Sequence, residues 1–113
     1  MVVGNGYVPA KGDLVWLDFD PQAGHEQKGR RPALIISQGA YNEKVGLAIL
    51  CPVTSKENGY PFEVKLTGKT IVGCVLSDQV KTLDWKVRNI EFIEKADNEV
   101  TDRVIELLEL ILN

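Results

Sequence analysis

The chain is poor in the residues that build metal centres and disulfide frameworks, with two cysteines and one histidine among its 113 residues. Cys51 and Cys74 both lie within apolar runs, and neither forms a Cys-x-x-Cys pair or a cluster with His25. Zinc sites need such clusters, and disulfide-stapled domains need more cysteines. We therefore predict no metal and no cofactor, and we interpret both cysteines as reduced thiols in the core.

Long apolar runs are also missing. No run approaches the roughly 18 residues that would span a bilayer, and the N-terminus has no basic segment followed by an apolar stretch. This pattern predicts a soluble, cytoplasmic protein. The length suits one compact domain, so residues 1–113 are expected to form a single domain. Because a chain this small buries only roughly two thirds of its surface on folding, a dimer interface would add useful burial.

Basic charge is scarce overall but unevenly distributed. The net charge of −3 argues by itself against a nucleic-acid partner, because phosphate contacts come from lysine and arginine. Seven of the 16 acidic residues lie from Glu91 onward, so the first 90 residues carry 11 basic and 9 acidic groups. Lys28, Arg30 and Arg31 fall within four positions of one another. A local basic site is therefore expected on a globally acidic protein.

Apolar patterning predicts about six short strands followed by one helix. The strands share continuous or alternating apolar runs bounded by turn residues: 13–19, 33–37, 47–53, one beginning near Phe62, 72–80 and 85–93. Residues 20–29 are polar and contain glycine and proline, which is typical of a long surface loop. Residues 41–46 are expected to form a turn of helix or an irregular loop.

The pattern changes at the C-terminal end. From Val100 to Leu112, apolar residues recur at intervals of three, four and seven, the spacing of one helical face. Asp97 or Asn98 precedes this segment as a capping residue. Short strands closed by one helix predict a mostly-β fold of the α+β type, a small barrel or strongly bent sheet with a C-terminal amphipathic helix.

The densest polar cluster occupies residues 25–32 and runs from the loop into a buried strand. Arg31 lies at the edge of that strand, where the backbone is held, whereas Arg30 lies further out. A fixed guanidinium presents a planar fork of donors to a phosphate, which favours Arg31 as the reactive cation. Its alternative use is an ion pair with Asp18 or Asp20 at the end of the first strand.

Two hydroxyls, those of Thr54 and Ser55, emerge where the buried strand 47–53 ends. Such hydroxyls either cap a turn or donate to a phosphate oxygen, and the sequence leaves both uses open. His25 is the only histidine, and a lone loop histidine is more often solvated than a general base. The chain has no Gly-rich phosphate loop after a strand and no Ser/His/Asp set.

Five segments resemble the MazF family of toxin endoribonucleases, in the family's order and spacing. They are GDLVWLDFDP at 12–21, GHEQKGRRPA at 24–33, CPVTS at 51–55, GYPFEV at 59–64 and LSDQVK at 76–81. The likeness covers nearly the whole chain from Tyr7 and weakens only after Arg88. It implies an SH3-like barrel, a homodimer and a toxin that inhibits translation and growth.

The resemblance also implies a chemistry. The family cleaves single-stranded RNA, including mRNA, without a metal, by attack of the 2′-hydroxyl on the adjacent phosphate, which leaves a 2′,3′-cyclic phosphate. Its catalytic arginine, threonine and loop glutamate match Arg31, Thr54 and Glu26. Because arginine stays protonated at ordinary pH, Glu26 is the expected proton acceptor, with His25 in reserve.

Binding of substrate and partner is expected around the same residues. Specific reading of RNA uses unstacked bases, and the candidates to contact them or their phosphates are Phe19, His25, Gln27, Lys28, Arg30, Ser55 and Gln79. Some relatives have histidine at the position of Arg30, whose extra charge should strengthen phosphate binding. The family further implies a MazE-like antitoxin whose acidic segment would compete with RNA for the basic residues.

Two other functions stay open on the sequence. One is a non-enzymatic toxin of the same fold that resembles CcdB and poisons DNA gyrase. Residues 110–113 lack the Trp-Gly-Ile ending of such poisons, and this function would leave Arg31 and Thr54 without a use. The other is an SH3-like peptide-binding module, for which only eight aromatic residues, several in predicted strands, leave little exposed aromatic surface.

Overall fold

The computed structural model describes residues 6–19 and 29–113. Within these residues the chain forms seven strands, two helices and one 3₁₀ turn. In chain order they are β1 (Asp13–Asp18), β2 (Arg30–Ile35), α1 (Gly39–Val45), β3 (Ala48–Thr54), β4 (Glu63–Thr67), β5 (Val72–Leu76), β6 (Lys81–Leu83), the 3₁₀ turn (Trp85–Val87), β7 (Glu91–Lys95) and α2 (Asn98–Leu112).

The strands form one antiparallel sheet in the order β4-β5-β3-β2-β1-β7, with β6 paired to β3. On the edge of β3 away from β2, β6 pairs with residues 48–50 and β5 pairs with Val53 and Thr54. This change of partner curls the sheet into a half-barrel. The expected mostly-β fold, an SH3-like barrel with a C-terminal amphipathic helix, is confirmed.

The two faces of the sheet carry separate hydrophobic clusters, because successive strand residues point to opposite faces. In β1, Leu14 belongs to the cluster that includes Val104 and Leu107 of α2. Val15 and Leu17 belong to the other cluster, which includes Phe19, Trp85, Ile90 and the strand residues Ala33, Ile35, Ala48 and Leu50. The helix therefore covers only one face of the sheet.

Three sequence-based boundaries differ from the structure. The predicted strand 72–80 ends at Leu76, where a turn separates β5 from β6. The predicted strand 85–93 begins instead as a 3₁₀ turn. The Asp84 side chain caps this turn by accepting a hydrogen bond from Lys86 N at 3.1 Å. For residues 41–46 the helical alternative is correct, but the helix is longer than one turn: α1 begins at Gly39 and ends at Val45, and Gly46 caps it in the left-handed region with a φ of 83°.

No helix among the described residues is long and apolar enough to cross a membrane. The helix α2 is amphipathic instead, with Thr101, Val104 and Leu107 buried. Its last turn leaves Leu110 and Leu112 largely exposed.

The hairpin between β4 and β5 is held by a carboxylate from a distant strand. Glu94 of β7 accepts hydrogen bonds from the backbone N–H groups of Lys69, Thr70 and Ile71 at 2.9 to 3.0 Å. Hydrogen bonds from Thr70 and then Ile71 lower the pKa of Glu94 below its ordinary value of 4.5. The charged form of this side chain therefore stabilises the turn of the hairpin.

We expect Glu94→Gln to destabilise the fold at neutral pH by an amount that shrinks in acid. Since folding lowers the pKa of Glu94, its contribution is present above 4.5 and is lost as the pH falls through the lower folded value. Urea unfolding of both proteins across this range measures the effect, with Glu109→Gln on the exposed side of α2 as the control. A stability difference that stays constant with pH would contradict this role for the charge.

Candidate functional site

The predicted catalytic pair lies at the ends of two neighbouring strands. Arg31 pairs with Leu17 of β1, and β2 pairs with β3 through Ala33↔Pro52. The β2–β3 pairing ends at Ala33↔Pro52, and Arg31 and Thr54 each lie two residues further along their strands. Because side chains alternate between the two faces of a sheet, Arg31 lies on the face of Ala33 and Thr54 on the face of Pro52, which is the same face. Both side chains are half-buried at this edge.

The hydroxyl of Thr54 is held by the turn that follows β3. Its Oγ1 accepts a hydrogen bond from Lys56 N at 3.2 Å, a contact between a side chain and the backbone two residues on. A threonine hydroxyl has one proton and two lone pairs, so accepting this bond leaves the proton available for donation to another group. The sequence left open whether Thr54 caps a turn or donates outward, and this geometry allows both at once.

Arg30 points to the opposite face of β2 from Arg31 and is engaged by carboxylates. Its guanidinium pairs with Asp18 Oδ1 at 3.4 Å and with Glu91 Oε1 at 3.0 Å. Asp18 Oδ2 also accepts from Asn89 Nδ2 at 2.8 Å. Two ion pairs were considered for Arg31. The one with Asp18 is made by Arg30, which links the ends of β1, β2 and β7, and Asp20 lies outside the described residues.

The remaining predicted binding residues fall into three groups. Phe19 is 6% exposed and packs in the cluster with Leu17, which leaves little of its ring for a ligand. Ser55 and Gln79 are exposed, the former directly after Thr54 and the latter in the turn after β5. His25, Glu26, Gln27 and Lys28 lie outside the described residues.

One polar contact near Gln79 was not anticipated. The Tyr60 hydroxyl donates to Asp78 Oδ2 at 2.6 Å, and this hydrogen bond raises the pKa of Tyr60. The Tyr60 ring is 46% exposed and lies 5.8 Å from the ring of Phe62. This contact joins the GYPFEV and LSDQVK segments through two residues that lie 18 positions apart, so their pairing was visible only in the fold.

The two thiols have the environment of core residues. Cys51 is fully buried, and burial first, with the charge of Asp78 second, raises its pKa to about 12. Burial likewise raises the pKa of Cys74. Because the thiolate is the reactive form, neither cysteine is placed to act as a nucleophile. Among residues 6–19 and 29–113, no group of three or more His, Cys, Asp and Glu side chains could hold a metal ion.

Comparison with known protein families decides the relationship. The family model described as "PemK-like, MazF-like toxin of type II toxin-antitoxin system" matches residues 10–112. The chain belongs to this family. The match covers every strand and helix described above.

Individual relatives agree with the family. The chain is 50% identical over 82 residues to the endoribonuclease toxin MazF of Escherichia coli strain K12, covering 73% of this chain and 74% of that one. The crystal structure of MazF from Deinococcus radiodurans matches with a TM-score of 0.86 and 50% identity, covering 94% of this chain and 97% of that one. A MazE-MazF crystal structure from the same organism gives the same score and identity, over 94% and 96% of the chains.

We expect both cysteines to resist a thiol reagent in the folded protein. Burial and the raised pKa keep them protonated and covered, so labelling with a disulfide reagent at mildly alkaline pH should be far slower than in denaturant. Free cysteine in the same buffer sets the reference rate. Labelling of either thiol at a rate near that of free cysteine would show that it is accessible.

Proposed function

We propose that this chain is the toxin of a toxin–antitoxin pair and an endoribonuclease that cuts single-stranded RNA, including mRNA, at specific sequences. The observation that carries the proposal is the placement of Arg31 and Thr54 on one face, at the ends of adjacent strands. Membership of the toxin family and the endoribonuclease activity of the relative from E. coli support the same conclusion.

The proposed reaction is a transphosphorylation within the RNA. The 2′-oxygen attacks the adjacent phosphorus and forms a 2′,3′-cyclic phosphate as the bond to the 5′-oxygen breaks. The proton of the 2′-hydroxyl goes to a base, and the leaving 5′-oxygen takes up a proton. Because the nucleophile belongs to the substrate, this chemistry needs neither a cofactor nor a metal-activated water.

Arg31 and Thr54 have complementary tasks in this scheme. Negative charge grows on the phosphate oxygens as the 2′-oxygen attacks, and preorganised donors aimed at that charge accelerate the step. Arg31 supplies a permanent positive charge and a fork of N–H donors. Thr54 donates its hydroxyl proton to a phosphate oxygen, because its Oγ1 acts only as the acceptor in the hydrogen bond from Lys56 N. We assign the proton acceptor to Glu26, which follows from the resemblance of the loop motif alone.

Substrate binding extends from this pair along exposed residues. Ser55 and Gln79 are our candidates to contact bases, because both are exposed and have donors and acceptors for base edges. His25, Gln27 and Lys28 of the loop motif are proposed to complete the groove. For Phe19 and Arg30, packing and ion pairing favour a supporting role over direct contact, although the charge of Arg30 still adds to the field that attracts phosphate.

We propose a MazE-like antitoxin as the protein partner. Support comes from the MazE-MazF complex of D. radiodurans, whose toxin component is 50% identical to this chain. An acidic antitoxin segment would meet the same basic residues as RNA, so the two are expected to exclude each other.

We further propose that residues 1–113 act as one domain, in a homodimer, in the cytoplasm where mRNA is present. A gyrase poison resembling CcdB is not favoured, because the named relatives are endoribonucleases.

Cleavage should persist in EDTA and leave 2′,3′-cyclic phosphate ends. The test incubates the purified protein with a long single-stranded RNA, with and without chelator, and maps the fragment ends. Acid treatment that opens the cyclic phosphate identifies the end group. Strict dependence on added Mg²⁺, or 5′-phosphate products, would contradict attack by the 2′-hydroxyl.

Arg31→Ala should lower the cleavage rate by about 10²- to 10³-fold, the usual effect of removing one preorganised donor. Single-turnover rates on one mapped RNA site measure the loss, and circular dichroism checks the fold. Arg103→Ala is the matched control, because Arg103 lies exposed on α2 and pairs with Glu106. A folded Arg31→Ala protein that cuts at the rate of the control would refute the assignment.

A further inference from the structure

Gly73 of β5 lies against the strand end that carries Thr54. A Cβ atom added to Gly73 would lie 2.1 Å from the carbonyl oxygen of Thr54 and 3.3 Å from Cα of Ser55. Both contacts are to backbone, so no side-chain rotation could relieve them. The chain leaving β3 therefore passes directly over Gly73, at a distance that only glycine permits.

We propose that Gly73 is a positioning residue for the Thr54 hydroxyl, an inference that rests on the nuclease function proposed above. Its missing side chain sets how closely the chain after Thr54 approaches β5, and that approach sets where the hydroxyl points. Among the described residues, no glycine lies this close to the backbone of Arg31. A side chain added at Gly73 should therefore displace Thr54 and leave Arg31 in place.

Any relief of a side chain at Gly73 must come from the Thr54 side. On its other edge Gly73 pairs with Leu66 of β4, which is 2% exposed and packed in the core. Along β5 it is followed by Cys74 and Val75, which are also buried. The chain at Ser55, in contrast, is exposed and leaves the sheet. Because packed interiors resist displacement, the exposed chain moves first.

The displacement is large enough to affect catalysis. A Cβ atom essentially never lies closer than 3.0 Å to such an atom, so the separation between the added Cβ and the Thr54 carbonyl oxygen must grow by about 0.9 Å. Moving this peptide also disturbs the hydrogen bond from Lys56 N to Thr54 Oγ1. A misplacement of about 1 Å in a catalytic group can lower a rate by roughly 10²-fold.

The test compares Gly73→Ala with two other glycine variants. Gly39→Ala places its Cβ no closer than 3.5 Å to any neighbour and should behave as the wild type. Gly68→Ala lies in the turn of the same hairpin, where its Cβ would crowd the Glu94 carboxylate and the Ile71 carbonyl oxygen, and its nearest neighbours include no atom of Thr54 or Ser55. It reports the effect of crowding this hairpin without direct contact with the Thr54 carbonyl.

Single-turnover cleavage is measured on a fluorescent RNA oligonucleotide that contains a site mapped with the wild type. Binding is measured by anisotropy with the same RNA carrying a 2′-deoxy group at the attacked position. We expect Gly73→Ala to lower the cleavage rate by roughly 10- to 100-fold. The Kd should change by a clearly smaller factor, because Ser55, which moves with Thr54, is only one of several proposed contacts to the RNA. Gly68→Ala should lower the melting temperature and leave the cleavage rate near that of the wild type.

A double variant shows whether Gly73 acts through Thr54. In a Thr54→Ala background the positioned hydroxyl is absent, so adding Gly73→Ala should cost no further rate. Equal losses in both backgrounds, or a wild-type rate for Gly73→Ala, would overturn the proposal. So would a Gly73→Ala protein that fails to fold where Gly68→Ala folds, because Gly73 would then serve the fold. Failure of the proposed function looks different: the wild type would not cleave RNA, or Thr54→Ala would cleave at full rate.

Discussion

Strand β3 exchanges one pairing partner for another within its length, and the arrangement of the site depends on that exchange. Between Val53↔Val75 and Leu50↔Lys81, β3 advances three residues while the opposite chain advances six. The extra residues cannot stay in the ladder and must bulge from it. Pro52 lies between the two pairings. Because proline has no N–H to donate, no hydrogen bond from this residue is lost where β3 changes partner.

The bulge is anchored from inside the fold. Ser77 is fully buried there, and its hydroxyl donates to the Phe62 carbonyl at 2.6 Å, while the Cys51 thiol lies 3.8 Å from the Ser77 carbonyl. These contacts hold Ser77 in the interior, and the residues that follow it, including Gln79, lie at the surface. They also fix the C-terminal end of β5, the strand that lies beside the end of β3, where Gly73 approaches Thr54. One irregularity thus positions a hydroxyl, a turn and a glycine together.

Alternation along β2 places two adjacent arginines on opposite faces of the strand. Arg30 faces Asp18 and Glu91 and braces three strand ends, whereas Arg31 lies on the face shared with Thr54. The ion pairs of Arg30 are exposed and contribute only modestly to stability. Their main effect is to fix the strand ends next to Arg31. Two neighbouring cations of one motif therefore have different physical roles, and a substitution of one is a poor guide to the other.

The sequence by itself determined the mostly-β class, the C-terminal helix and most strand positions, which follow from local periodicity. Residue chemistry and family likeness supplied Arg31 and Thr54 as the proposed catalytic pair. Only the tertiary structure decided which arginine pairs with Asp18, that Phe19 packs in the core and that Gly73 crowds Thr54. Those facts depend on strand register and on the bulge opposite Pro52. Register is set by long-range pairing between residues far apart in the chain, which no local pattern encodes.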